Sequence, residues 1–369
     1  MTKHTFADNA PSLRNRARTR LLASVAALVL LGGGATVAAA ATSTRSAAPK
    51  TVALQAGYQL HRFAPLPTGL SKPDDLALLG RDVFVGYQNG VGSMGEPAAG
   101  TGQTQSTIVE YGPHGRQLAS WTITGKCDGL GADPATHELI ATVNEDGNSS
   151  LYTIQPSSGD VDHFTYNVDP VSLGGGGTDA VSVQGGTIYV SGSNPAGASA
   201  PAVYVVSLDV GSGFATLTST FTDDAPANGP SGPVTLALTD PDSNGFVPIS
   251  VAGVGGDFVL VSQADAQLIF VKDLGSATQT LTQLPIGTNT DDITFVTSHK
   301  GSLLLTDNAT GQIFAISSNH FTPGTVFVDT AGDSGVPGLV GTVNLTTGQI
   351  TPIASGFTNP HGMLFVQAP

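Results

Sequence analysis

The chain is short of most things that staple or steer a protein. One cysteine, Cys127, occurs in 369 residues, so no intrachain disulfide can form and Cys127 reads as a small buried apolar residue. Aromatic residues make up 6 % and charged residues 11 % of the chain. Basic side chains number 14 against 28 acidic ones, which argues against nucleic acid and anionic lipid as partners. Amphipathic helical periodicity is nearly absent. No Cys follows the N-terminal apolar run, which argues against a lipoprotein.

The scarce basic residues are unevenly spread. Lys3, Arg14, Arg16, Arg18 and Arg20 precede an apolar run from Leu21 to Ala41 that ends in small residues. This is the layout of a secretory signal, expected over 1–41; the alternative is an uncleaved tether, since about 20 apolar residues can span a bilayer. Without the signal, nine basic side chains face 27 acidic ones. Residues 42–56, rich in Ala, Ser and Thr, read as a flexible leader. The remaining residues, 57–369, are long enough for one large core.

What the chain has is short apolar blocks punctuated by Gly, Asn, Asp and Pro. Val83–Val85, Ile108–Tyr111, Leu139–Val143, Thr187–Val190, Val203–Val206, Phe258–Val261, Leu268–Val271 and Leu303–Leu305 read as strands. The fold class is all-β.

One corner recurs among these blocks. Leu66-Pro67-Thr68-Gly69-Leu70-Ser71-Lys72-Pro73-Asp74-Asp75-Leu76 aligns without a gap to Ile353-Ala354-Ser355-Gly356-Phe357-Thr358-Asn359-Pro360-His361-Gly362-Met363. Shorter copies are Cys127-Asp128-Gly129-Leu130, Thr178-Asp179-Ala180-Val181 and Thr290-Asp291-Asp292-Ile293, with Ser243-Asn244-Gly245-Phe246 as a weaker one. Taken at Asp74, Asp128, Asp179, Asn244, Asp291 and His361, the intervals are 54, 51, 65, 47 and 70 residues. Each suits one four-stranded blade. The expectation is a single β-propeller over 57–369 with six blades, seven being the alternative. Its closure would come from pairing of N- and C-terminal strands, Tyr58–Leu66 and His361–Val366. Residues 317–348 are too long for a turn and could hold part of another blade.

With these corners and hairpins such as Leu305-Thr306-Asp307-Asn308-Ala309-Thr310-Gly311-Gln312-Ile313, the chain resembles secreted propellers of the NHL and YVTN type. More loosely, it resembles the gluconolactonase-like group. The latter resemblance implies a metal held by Glu, Asn and Asp, with an Asp as base. The first corner offers Asp74-Asp75 and lacks the Glu-Gly-Pro of that group, so no lactonase site is carried over and the catalytic residues are unknown.

Strands in a blade are antiparallel, so the corners share a face with the hairpins between second and third strands. That face is expected to carry Asp74, Asp75, Asp128, Asp179, Asp291, Asp292 and His361 as a ligand-binding mouth. Two long hairpins, Gln88–Ser106 and Ser191–Pro201, should lie beside it. Converging carboxylates need a bound cation, raised pKa values or backbone hydrogen bonds. Ca²⁺ or another divalent cation, on Asp74, Asp128, Asp179 and Asp291, is one expectation; Asx turns capped by each Asp are the other. His361 reads as a satisfied polar residue, or else as a ligand or base. No organic cofactor is indicated. Gly332–Gly335 mimics a serine-protease loop but lacks its partners, and Gly174–Gly177 reads as a flexible corner rather than a phosphate loop.

The expected function is a secreted, monomeric binding or scaffold propeller for a small molecule, glycan or peptide. A metal-dependent hydrolase or lyase of the lactonase-like kind is the alternative. Membrane contact arises only if the N-terminal segment stays attached.

Overall fold

A computed structural model describes residues 52–368 apart from 198, 331 and 333–337; the expected signal and most of the leader lie outside this range. The described chain is all-β, with one 3₁₀ turn at Pro170–Leu173. Strand β1 (Ala53–Leu54) belongs to the expected leader, yet Ala53 pairs with Ser355 and Leu54 with Ala354. The end of that segment is therefore part of a sheet. Strand β2 (Tyr58–Ala64) follows.

Strands β3 (Pro73–Leu79), β4 (Asp82–Tyr87), β5 (Gln105–Tyr111) and β6 (Gln117–Thr124) form an antiparallel meander. So do β7 (Cys127–Asp133), β8 (Glu138–Val143), β9 (Ser150–Gln155) and β10 (Asp160–Tyr166). A third meander comprises β11 (Thr178–Gln184), β12 (Thr187–Gly192), β13 (Pro201–Asp209) and β14 (Phe214–Thr222). The hairpin β15 (Pro226–Gly229) and β16 (Gly232–Thr235) then precedes β17 (Pro241–Phe246), β18 (Phe258–Ser262), β19 (Gln267–Lys272) and β20 (Thr280–Pro285), and β15 joins the outer strand β20. This inserted hairpin accounts for the long third interval of the repeat.

The remaining strands are β21 (Ile293–Phe295), β22 (Gly301–Asp307), β23 (Gln312–Ser318), β24 (Val326–Thr330), β25 (Gly338–Val343), β26 (Ile350–Phe357) and β27 (Pro360–Gln367). Here the chain departs from the sequential order expected from the repeat. After β21 it leaves for another sheet, ordered β2-β23-β22-β27, and returns to build β21-β24-β25-β26 with β1. Leu303–Leu305 thus pairs with the C-terminal strand and not with the strand after Asp291. Residues 317–348 hold β24 and β25, as their length required. The two terminal strands share a sheet but do not pair with each other: β22 and β23 stand between β27 and β2.

Alternation along each strand puts residues on both faces, and successive sheets bury those faces against each other. Leu79, Phe84 and Ile108 of the first meander meet Leu139, Tyr152 and Ile154 of the second. Val259 and Phe270 meet Val326 and Val328. In β22, Leu303 and Leu305 pack toward Phe327 and Ile353, whereas Leu304 faces Leu76, Val83 and Val109 of the first meander. Cys127 is 1 % exposed in the first of these clusters, as a small apolar residue would be.

Outer turns lock onto neighbouring sheets at fixed points. At Gly115, φ is +74° and an added Cβ would stand 1.8 Å from the carbonyl oxygen of Phe63. Gly115→Ala is expected to cost about 2 kcal/mol or more. Urea unfolding would measure it; an unchanged midpoint would show that the Phe63 segment moves freely.

Candidate functional site: an acidic mouth

The corners position the site through one repeated irregularity. Five of the six first strands carry an extra residue opposite their neighbour, between Pro73 and Leu76, Cys127 and Leu130, Thr178 and Val181, Pro241 and Ser243, and Pro360 and Met363. A bulge bends the strand and re-aims the side chain inside it. The residues so displaced include Asp74, Asp128, Asp179, Asp242 and His361. Asn244 is therefore not the equivalent of the others. Asp242 is, and Asn244 sits two residues further in, donating from Nδ2 to the Ala180 carbonyl at 2.9 Å. The signal was present in the sequence, since Pro241-Asp242 copies Pro73-Asp74 and Pro360-His361.

All seven residues expected at the mouth line one cavity of about 350 Å³. It is joined by a second cavity of about 450 Å³ that shares Lys126, Glu145, Asp179, Asp242, Asp291 and His361. Side chains that the corner motif did not reveal complete the walls, chiefly Lys126, Gln88, Asn308 and Gln263. Each of the last three directly follows a second strand of its sheet. Gln88 Nε2 donates to Asp74 at 2.7 Å and to Asp128 at 3.4 Å. Gln263 Nε2 repeats this, donating to Asp242 at 2.7 Å and to Asp291 at 3.0 Å. Asn308 Nδ2 donates to Asp74 at 3.2 Å.

The carboxylates fall into two groups. Asp75 and Asp292 tie neighbouring strands together: Asp75 accepts the Leu130 amide at 2.8 Å. Asp292 accepts from Ser243 and Ile293, each at 2.6 Å, and from the Met363 amide. Burial raises the pKa of Asp75 well above the usual carboxylate range, helped by the charge of Asp292. Burial likewise pushes Asp292 up to about 7 despite those hydrogen bonds.

The corner residues proper face the cavity, and two internal cations answer most of them. His361 Nδ1 lies 3.2 Å from Asp74 and 3.0 Å from Asp291, and Asn359 lies 2.7 Å from Nε2. Burial works against the imidazolium, but Asp291 and Asp74 outweigh it and hold its pKa well above the ordinary value. Through Nδ1, His361 thus answers both Asp74 and Asp291. Lys126 Nζ lies 2.7 Å from Asp128 and also binds Glu145. Burial again opposes the charge, and Asp128 and Glu145 override it. Of the four carboxylates expected to hold a metal, Asp74 and Asp291 hold His361 and Asp128 holds Lys126. Among the described residues no three His, Cys, Asp or Glu side chains are arranged to hold a metal ion.

Asp179 is the exception among these carboxylates. It is 4 % exposed, lines both cavities, and its carboxylate accepts no hydrogen bond among the described residues. The cause is local. Register makes Asn144 and Ser193 the counterparts of Gln88, yet Asn144 Nδ2 binds its own turn at Asn148, 3.0 Å away, and Ser193 Oγ binds the Glu145 carbonyl. Burial raises the pKa of Asp179, with Glu145 and Asp128 adding to it. Burial raises that of Asp242 too, with Asp291 and Asp179 adding to it.

Both long hairpins lie where expected. Ser93 in the first bonds Asp146 at 2.6 Å, and Ser193 and Asn194 in the second line the larger cavity. The Gly174–Gly177 run is packed rather than loose: a Cβ on Gly177 would stand 2.1 Å from the Glu145 carbonyl oxygen. Of Gly332–Gly335, only Gly332 is among the described residues.

No protein-family model matches the chain, and no curated protein matches it. Solved structures with a related arrangement are distant. A streptogramin B lyase is 12 % identical with a TM-score of 0.44, over 84 % of this chain and 95 % of that one. A nidogen/laminin complex chain is 10 % identical with a TM-score of 0.47, over 84 % and 98 %. A provisionally assigned gluconolactonase is 10 % identical with a TM-score of 0.46, over 85 % and 90 %. These are propeller-like neighbours.

Proposed function

We propose that this chain is an exported six-bladed propeller that binds a cationic ligand at its acidic mouth. Six four-stranded units, each packed on the next and the last on the first, support the blade count and a closed ring. The basic, apolar and small-residue order of 1–41 supports export. The observation that carries the binding reading is the imbalance of charge. Eight acidic side chains line the smaller cavity against Lys72, Lys126 and His361, in a wall too short of donors to suit an anion. The long hairpins beside it are the surfaces that would select among ligands.

Calorimetry and thermal shift at physiological ionic strength, with Ca²⁺, Mg²⁺ and small organic cations, test this reading. Saturable binding of at least one, with a rise in melting temperature, is the expected result. No response to any of them would overturn it. Turnover of a lactone panel, abolished by Asp74→Asn, would replace binding by catalysis.

A further inference from the structure

We propose that the larger cavity is a subsite for the primary ammonium group of a small aliphatic amine, with Asp179 and Asp242 as its acceptors. This rests on the acidic-mouth reading and specifies both the place and the chemical class.

The place follows from which charges are already answered. Asp74, Asp128, Asp291 and Glu145 between them hold His361 and Lys126, and both of those cations border the two cavities. A cation arriving at any of those four carboxylates would have to displace one of those partners. Among the described residues Asp179 forms no ion pair and accepts no hydrogen bond, with only the more distant charge of Lys126 in its favour, although it is 4 % exposed and faces the cavity. Asp242 accepts the neutral Gln263 amide and shares a side-chain hydrogen bond with Asp291, but pairs with no cation. Asp146 lies on the same wall with Ser93 as its partner. A buried carboxylate left without a donor is costly unless something supplies one. Its two natural donors in the repeat, Asn144 and Ser193, are committed elsewhere.

The class follows from the shape and lining. An ammonium carries three donors and no acceptor, matching Asp179 and Asp242. Ca²⁺ takes six to eight oxygens at about 2.3–2.6 Å, whereas among the described residues no three His, Cys, Asp or Glu side chains are arranged to hold a metal ion. No aromatic side chain lines the cavity, so it lacks the cage that quaternary ammonium groups use. The cavity's about 450 Å³ falls in the range of small-ligand sites.

The test is calorimetry of the purified protein with 1,4-diaminobutane, n-butylamine, the neutral 1,4-butanediol and Ca²⁺. Both amines are expected to bind and the diol not to. Asp179→Asn, which keeps the shape but cannot release a proton to become a charged acceptor, is expected to weaken amine binding at least tenfold. Asp242→Asn should act in the same direction, and circular dichroism would confirm that both variants fold. Amine binding unchanged in both variants would overturn the assignment. Binding of Ca²⁺ without the amines would overturn it too, leaving the acidic-mouth reading intact. Silence from every cation would remove both.

Discussion

Replacing Lys126 by Met is expected to lower folding stability by about 3–5 kcal/mol. The Lys126 side chain is 17 % exposed and that of Asp128 only 2 %. Nζ stands between Asp128 and Glu145, so removing it strands two carboxylates in a mouth already rich in them. The loss is that of breaking a buried pair, which exceeds what the intact pair contributes. Asp128→Asn in the same background should restore much of the stability by removing one stranded charge. Guanidinium unfolding of the single and double variants measures this. A loss below about 1 kcal/mol, the range of solvated surface pairs, would show that water screens the mouth.

The second large effect is an unusual dependence on pH. Burial raises Asp292 from 3.8 to about 7, so between those values the folded state holds a proton that the unfolded state has released. Stability then falls as pH rises across that interval. The same sign holds for Asp75, Asp179 and Asp242, all raised chiefly by burial. His361 adds to the trend. Its pKa is raised in the fold, so its contribution is complete below about 6.5 and is lost as pH climbs through the folded value. Asp292 alone could contribute about 4 kcal/mol of this change at most. The melting temperature is expected to drop by several degrees between pH 5 and pH 8. Asp292→Asn should flatten the slope, whatever it does to absolute stability by losing an acceptor for Met363. Stability that rises over this interval would contradict the burial of these groups. A bound cation would oppose the fall, so a shallower slope in its presence is a companion result.

Much of the site was legible because the repeat fixes a point on each strand. Pro73-Asp74 and Pro360-His361 stand at matched bulges, and so do Asp128 and Asp179. Asp242 escaped because the Gly-containing run at Ser243–Phe246 looked more like the other corners than Pro241-Asp242 did. Gln88, Gln263 and Asn308 were hidden for another reason. Their role depends on lying at the end of a second strand beside the corner, and an amide in a loop carries no signal of that. Lys126 was closer to view: in a chain so poor in bases, it stands two residues before Asp128.

The order of the last two sheets was beyond the sequence. Local pattern fixes that Leu303–Leu305 is a strand, because three leucines before Thr306-Asp307 can bury both faces. It does not fix which first strand that strand joins, since any apolar inner strand offers the same backbone ladder. Only packing between Phe327 and Phe365 on one side and Val83 on the other decides that β22 lies beside β27.

The sequence by itself determined that the chain is all-β, acidic, free of disulfides and built on a repeated acidic corner. Those properties are local, set by alternation, turn residues and composition. The tertiary structure decided how that acidity is distributed. Whether a carboxylate meets Lys126, His361, a backbone amide or open cavity depends on which strands are brought side by side. That is why seven residues alike in sequence divide into strand ties, paired charges and one unpaired acid, Asp179.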